Sequence, residues 1–238
     1  MKKLYLLLAP LIISGLLFSQ CYYKSSVSTN QSVNASSQKL LPVIIIDAGH
    51  GGFDGGATTK DGYPEKHINL NISLYLKDFL QLFGFRTILT REKDVSLEDE
   101  GLSTIRQRKS SDLHNRMSLM EETENAVFIS VHQNIYSEEK YDGMQVFYSP
   151  KLSEVSSVLA QSIQENTVEL LQKDNTRQIK ECGTGVYLIY NAVKPACLVE
   201  CGFLSNVNEA KKLQTEGYQR QIAFCIAMGI QEYFYNKD

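Results

Sequence analysis

The sequence predicts an α/β fold, a mixed or parallel sheet sandwiched by helices. Short β-branched or aromatic runs bounded by Gly, Pro or charge alternate with longer segments of helical period. With 238 residues and 43% hydrophobic content, the chain can bury a sizeable core. Chemistry-bearing residues also follow the strands, and functional groups in such sheets collect beyond the strands' carboxyl ends.

In chain order, Val43–Ile46 (VIII) reads as the first strand. Ile68, Ile72, Tyr75, Leu76, Phe79 and Phe83 then recur at helical spacing, and Gly84 ends that helix as a C-cap glycine. Phe85–Leu89 is the second strand. A polar helix carries the DLHNRM stretch, and Ala126–Val131 (AVFISV) is the third strand. Met144–Tyr148 is the fourth. A helix follows on Val155, Val158, Leu159, Ile163, Val168 and Leu171. Gly185–Ile189 and Ala196–Val199 read as the last two strands, before a final helix on Ile222, Ile226, Ile230 and Phe234.

The chain divides into three parts. Residues 1–21 carry Lys2 and Lys3 and then an apolar stretch from Leu4 to Phe18, the pattern of a signal peptide, with a short uncleaved membrane anchor as the alternative. Residues 22–40 are rich in Ser and Asn and have too little apolar surface to offset the entropy of ordering, so they read as a flexible linker. Residues 41–238 form the folded catalytic domain. The expectation is an exported protein, secreted to or anchored at the wall or periplasmic side.

A formal net charge of −3, with no run of Lys or Arg, lacks the electrostatic footprint of a nucleic-acid binder. Five cysteines have irregular spacing and form no C-x-x-C pair, so the four beyond Cys21 read as buried thiols.

Two of the four histidines leave strands directly. His50 follows the VIIID run in a turn, Asp47–Gly56, that holds five glycines in ten residues. His132 ends the AVFISV strand. Two imidazoles at one sheet edge can converge, and Glu65, between the first strand and helix, would complete a set of three ligands with an open position. The glycine-rich turn fits neither a dinucleotide nor a Walker A spacing. Its glycines instead allow close approach of the backbone. His67 and His114 read as helix-end or surface residues. Glu200 ends the apolar strand ACLVE, where a charge costs free energy unless it is paired or near a cation. It is the candidate general acid/base beside a metal.

IDAGHGG-D-GA at Ile46–Ala57, PEKHINL at Pro64–Leu70, LTR at Leu89–Arg91, FISVHQN at Phe128–Asn134, GMQVFY at Gly143–Tyr148 and PACLVECGFLSN at Pro195–Asn206 resemble the zinc-dependent N-acetylmuramoyl-L-alanine amidases. The resemblance implies a mostly parallel, twisted six-stranded sheet with helices on both faces. It also implies one catalytic Zn²⁺ held by His50, Glu65 and His132, with Glu200 as catalytic acid/base. Asn134 and Arg116 fall near motif positions and are assigned substrate-supporting roles. The implied substrate is peptidoglycan, cut between the muramic lactyl group and L-alanine, with the spore wall and the vegetative wall as alternative settings. Whether a protein activator is needed is left open.

Two segments depart from the pattern. The connection REKDVSLEDEGLSTIRQRKSS after LTR is longer than expected, and Gln133 stands where a small or apolar residue is usual. Asp174–Thr184 matches weakly. Competing readings are another zinc hydrolase, such as a metallopeptidase or sugar deacetylase, a metal-free peptidoglycan-binding module, and a non-haem Fe(II) oxygenase.

Overall fold

The computed structural model describes residues 41–235; the expected leader at 1–21 and linker at 22–40 lie outside them. The elements are β1 (Val43–Ala48), α1 (Glu65–Leu82), β2 (Arg86–Leu89), α2 (Ile105–Glu122), β3 (Ala126–Asn134), β4 (Gln145–Tyr148) and α3 (Ser153–Leu170). They continue with β5 (Lys180–Glu181), α4 (Tyr187–Tyr190), β6 (Ala196–Phe203), α5 (Val207–Leu213) and α6 (Glu216–Tyr235). Six strands form one sheet in the order β2-β1-β3-β6-β4-β5. All pairings are parallel except β4 with β6.

Strand alternation divides the core between the two faces. Ile44 and Ile46 point into a cluster with Ile68, Ile72, Ile163 and Ile226, under α1, α3 and α6. Val43 and Ile45 turn the other way, against Met117, Phe128, Leu188 and Leu198, where α2 and α4 cover the sheet. A strand buried on both faces must be apolar throughout, which is why VIII and AVFISV show no polar alternation. Among the described residues no helix is long and apolar enough to cross a membrane.

The end of α1 behaves as its sequence predicts. Gly84 has φ +86°, and its N–H and that of Phe85 bond to the carbonyls of Gln81 and Leu80 at 3.0 Å each. This is the paired bonding of a Schellman stop. The start of α2 is fixed by Thr104 and Gln107, which cap each other's backbone reciprocally.

One strand is misplaced by the sequence reading. Gly185–Ile189 is not a strand: it is a turn leading into α4, and the edge strand is Lys180–Glu181. GVYLI is apolar because Leu188 and Ile189 are buried in the second core cluster, and periodicity cannot separate a short buried helix from a buried strand.

Cys182, Cys197, Cys201 and Cys225 are free and buried, as the irregular spacing predicts. Burial pushes the thiols of Cys182 and Cys225 up to about 11. His114 is exposed on α2, and His67 lies half-buried in the first turn of α1 against the Tyr63 ring.

Candidate metal centre and active site

Parallel pairing of β1 with β3 and of β3 with β6 brings three carboxyl ends together. His50 leaves β1 in the glycine turn, His132 lies near the end of β3, and Glu200 lies on β6 as the register partner of His132. Glu65 arrives from the opposite side as the first residue of α1.

The turn is tight. His50 has φ +60°, a left-handed conformation uncommon in residues other than glycine. A Cβ on Gly49 would overlap the His132 ring, and one on Gly56 would stand 2.6 Å from Glu65 Oε2. Glycine at these positions is thus a requirement for the histidines and the glutamate to converge.

Glu65 is the hub, only 2% exposed. Its Oε1 lies 3.0 Å from His132 Nδ1 and accepts the Gln133 N–H and Asn69 Nδ2, also at 3.0 Å. Its Oε2 accepts the Ala57 N–H at 2.9 Å and lies 3.3 Å from His50 Nε2. The two imidazoles meet edge-on with ring centroids 4.8 Å apart. One ligand atom from each of His50, Glu65 and His132 falls within 4.8 Å of the others, a spacing that can close on one cation.

The electrostatics fit that use. Burial works against a charged His50, but its hydrogen bonds with Asp54 and Glu65 win and raise it to about 9. Burial likewise opposes ionised Glu65, yet the two histidines hold its carboxyl far below the usual range. Two imidazoles gather round one buried carboxylate, and a cation can replace the proton that His50 would otherwise carry. Asp54 sets the other side of His50: its Oδ2 lies 3.0 Å from Nδ1, leaving Nε2 to face Glu65. The spacing of four from His50 to Asp54 was the available signal for this partner, which the sequence reading did not use.

Glu200 differs in kind. Its Oε2 is buried and has no hydrogen-bond partner among the described residues. Burial drives its pKa up to about 7; His132 pulls it down and Glu65 pushes it up. A carboxyl titrating near neutrality beside a cluster able to close on a cation is suited to taking and returning one proton.

Arg116 does not face substrate. It is 1% exposed, and its guanidinium bonds Asp47 Oδ1 at 2.5 Å, Asp112 Oδ2 at 2.8 Å, and the carbonyls of Ala48 and His50 at 3.0 and 2.8 Å. The substrate-supporting role read for it is corrected to a structural one, since every donor direction is taken up by the protein. Arg91, quoted only as part of LTR, acts from the same side: it is 3% exposed and donates to the carbonyls of Ala48, Gly49 and Lys66 at 2.9 Å each. Asn134 is half-buried at the carboxyl end of β3, where its carbonyl receives the Leu204 N–H at 2.8 Å. Gln133 is 4% exposed and bonds Asn69 Oδ1 at 3.0 Å, so this departure from the pattern braces the residue that braces Glu65.

The long connection after β2 straps over the glycine turn. Asp94 accepts the Gly52 N–H at 2.8 Å and pairs with Lys66 at 2.7 Å, while Lys66 also reaches the Gly52 carbonyl at 2.7 Å. From α2, Arg108 stacks over Phe53 at 3.9 Å, and Lys109 lies 3.0 Å from Asp54.

The family model of the N-acetylmuramoyl-L-alanine amidases matches residues 44–232, a span that runs from within β1 to within α6. The chain belongs to that family. A germination-specific N-acetylmuramoyl-L-alanine amidase of Bacillus subtilis is 38% identical to this amidase over 216 residues, 90% of each chain. The CwlD amidase of Clostridioides difficile, solved in complex with the GerS lipoprotein, is 41% identical. Its TM-score is 0.79 over 82% of this chain and 100% of that one. An amidase from Clostridium difficile 630 has the same fold at 28% identity and a TM-score of 0.71, covering 84% of this chain and 100% of its own.

Proposed function

We propose that this amidase is a zinc enzyme that hydrolyses the amide between the lactyl group of N-acetylmuramic acid and L-alanine in peptidoglycan. In this reading His50, Glu65 and His132 hold the ion and Glu200 is the acid/base. The observation that carries it is the pairing, in register, of His132 of the three-residue cluster with Glu200, whose buried Oε2 has no hydrogen-bond partner among the described residues. Two imidazoles and one carboxylate are donors that suit zinc, and they leave a position open.

When bound, zinc would polarise the scissile carbonyl and lower the pKa of water. The protein's own groups handle the protons. Glu200 takes a proton from the attacking water as the new C–O bond forms at the lactyl carbonyl. It then gives that proton to the alanine nitrogen as the C–N bond breaks, because an unprotonated amide nitrogen leaves poorly. The products are a lactyl carboxylate and a free amino terminus. Asp54 and the carbonyl contacts of Arg91 and Arg116 keep the His50 turn in place throughout.

The kinship to a germination-specific relative supports an action on the spore wall, outside the membrane. The structural relative's lipoprotein supports a protein partner for this chain as well. The deciding experiment incubates the full chain with purified peptidoglycan, with and without chelator, and identifies products by mass spectrometry. Stem peptides beginning with L-alanine, lost on chelation and restored by zinc, are the expected result. Deacetylated sugars or peptides cut elsewhere would replace this reading with a deacetylase or a metallopeptidase.

A further inference from the structure

A cation without an ion-pair partner among the described residues stands on an aromatic platform just beyond the proposed site. Phe203, the last residue of β6, is 4% exposed and is the register partner of Asn134 on β3. The Arg177 guanidinium lies over its ring at 4.4 Å and over the Tyr141 ring at 5.5 Å. Tyr136, 53% exposed, closes the shelf by meeting Tyr141 edge-on at 5.1 Å.

The platform is rigid. Arg177 Nε donates to the Asp142 carbonyl at 2.7 Å, and its own N–H bonds Asn175 Oδ1 at 3.0 Å. Asn175 is in turn tied to the Met144 carbonyl at 2.8 Å. Glu209, a nearby acid, accepts the backbone N–H groups of Gly143 and Phe203; it feels the Arg177 charge but forms no ion pair with it. Arg177 makes no ion pair among the described residues, and its two terminal nitrogens have no acceptor there. A guanidinium held by one nitrogen and by stacking keeps its forked face available to a carboxylate.

We propose that Arg177 anchors a free carboxylate of the peptide that leaves when the amide is cut. This rests on the amidase reading above. Peptidoglycan stem peptides carry free carboxylates, including one on the residue after L-alanine. Phe203 lies three residues past Glu200 on one strand, roughly 10 Å at ~3.3 Å per residue. A second residue in an extended peptide reaches about 7 Å from the scissile nitrogen, and the long Arg177 side chain covers the rest.

The test compares two muropeptides that differ only in whether the carboxylate after L-alanine is free or converted to the carboxamide. With the zinc-loaded full chain, kcat/KM should favour the free acid by about tenfold or more, the scale of one charge-assisted hydrogen bond. Arg177→Ala should abolish that preference by raising KM for the acid alone, and Arg177→Lys should restore part of it. An equal loss on both substrates, or a preference that survives in Arg177→Ala, overturns the anchor. Failure of the wild type to cut either substrate counts against the amidase reading instead. Calorimetry with the free stem peptide then decides the anchor separately: weaker binding to Arg177→Ala supports it and unchanged binding refutes it.

Discussion

His132 on β3 and Glu200 on β6 are direct register partners in a parallel strand pair, although 68 positions separate them in the chain. Backbone hydrogen bonding alone therefore fixes a proposed metal ligand beside the proposed acid/base. A slip of one residue would turn one of the two to the opposite face of the sheet.

Glu200→Gln keeps the shape of the side chain and removes its proton traffic. Zinc content should stay stoichiometric while kcat falls about 10²–10⁴-fold, the usual share of general acid/base catalysis. His132→Ala should lose both metal and turnover. Metal analysis beside peptide-release assays separates the two outcomes, and a Gln variant with full activity would remove Glu200 from the chemistry.

Asp54→Asn should weaken zinc binding about 10–100-fold without unfolding the protein, because Asp54 orients His50 rather than binding the ion. Competition against a chelator measures this directly. An unchanged affinity would mean that the glycine turn alone orients the ring.

Zinc loading should release protons near pH 7, because the metal-free His50 titrates at about 9 and must be neutral to bind. Affinity should accordingly fall as pH is lowered from 9 toward 6. Calorimetry in buffers of different ionisation heat reads the proton count, and a count of zero would contradict the pairing of His50 with Asp54 and Glu65.

Asp47→Asn should be among the most damaging substitutions away from the ligands. It leaves the 1%-exposed Arg116 without its buried partner, a change that costs about 3–5 kcal/mol. For a chain of this size that is a fall in Tm of roughly 10 °C. Burial opposes ionised Asp47, but Arg116 and Ser130 outweigh it, so the folded pKa lies below the unfolded value of 3.8. The pair's contribution is therefore complete above pH 3.8 and is lost as pH falls further. Denaturant melts of both forms between pH 3 and 7 check it.

Glu209 carries the opposite sign. Burial raises its folded pKa to about 6, against a bond from the Phe203 N–H that lowers it, so the folded state binds the proton more tightly than the unfolded one. Its contribution is fully present below pH 4.5 and is lost as pH rises through 6, a change of about 2 kcal/mol. Glu209→Gln should flatten that limb of the stability profile; an unaltered limb would assign it to another group.

Much of this was legible in the sequence. His50, Glu65, His132 and Glu200 stood out as candidates because a charge or imidazole at the end of an apolar strand, or within a turn crowded with glycine, conflicts with local preference; the structure brings the four together. Arg116 was misread because sequence gives its neighbours along the helix and not the Asp47 carboxylate 69 residues away that consumes its charge. Gly185–Ile189 was misread because apolar content over five residues reports burial and not backbone conformation.

The sequence by itself determined the α/β class, five of the six strands, the stop of the first long helix and the residues able to carry chemistry, because periodicity, capping and composition are local properties of a chain. Tertiary structure alone decided that Asp54 backs His50, that Arg91 and Arg116 grip the carbonyls of the turn, and that Arg177 stands on Phe203 with no acceptor for its terminal nitrogens among the described residues. These depend on contacts between residues distant in sequence, and such contacts exist only after the sheet has set its register and the helices have closed on both faces.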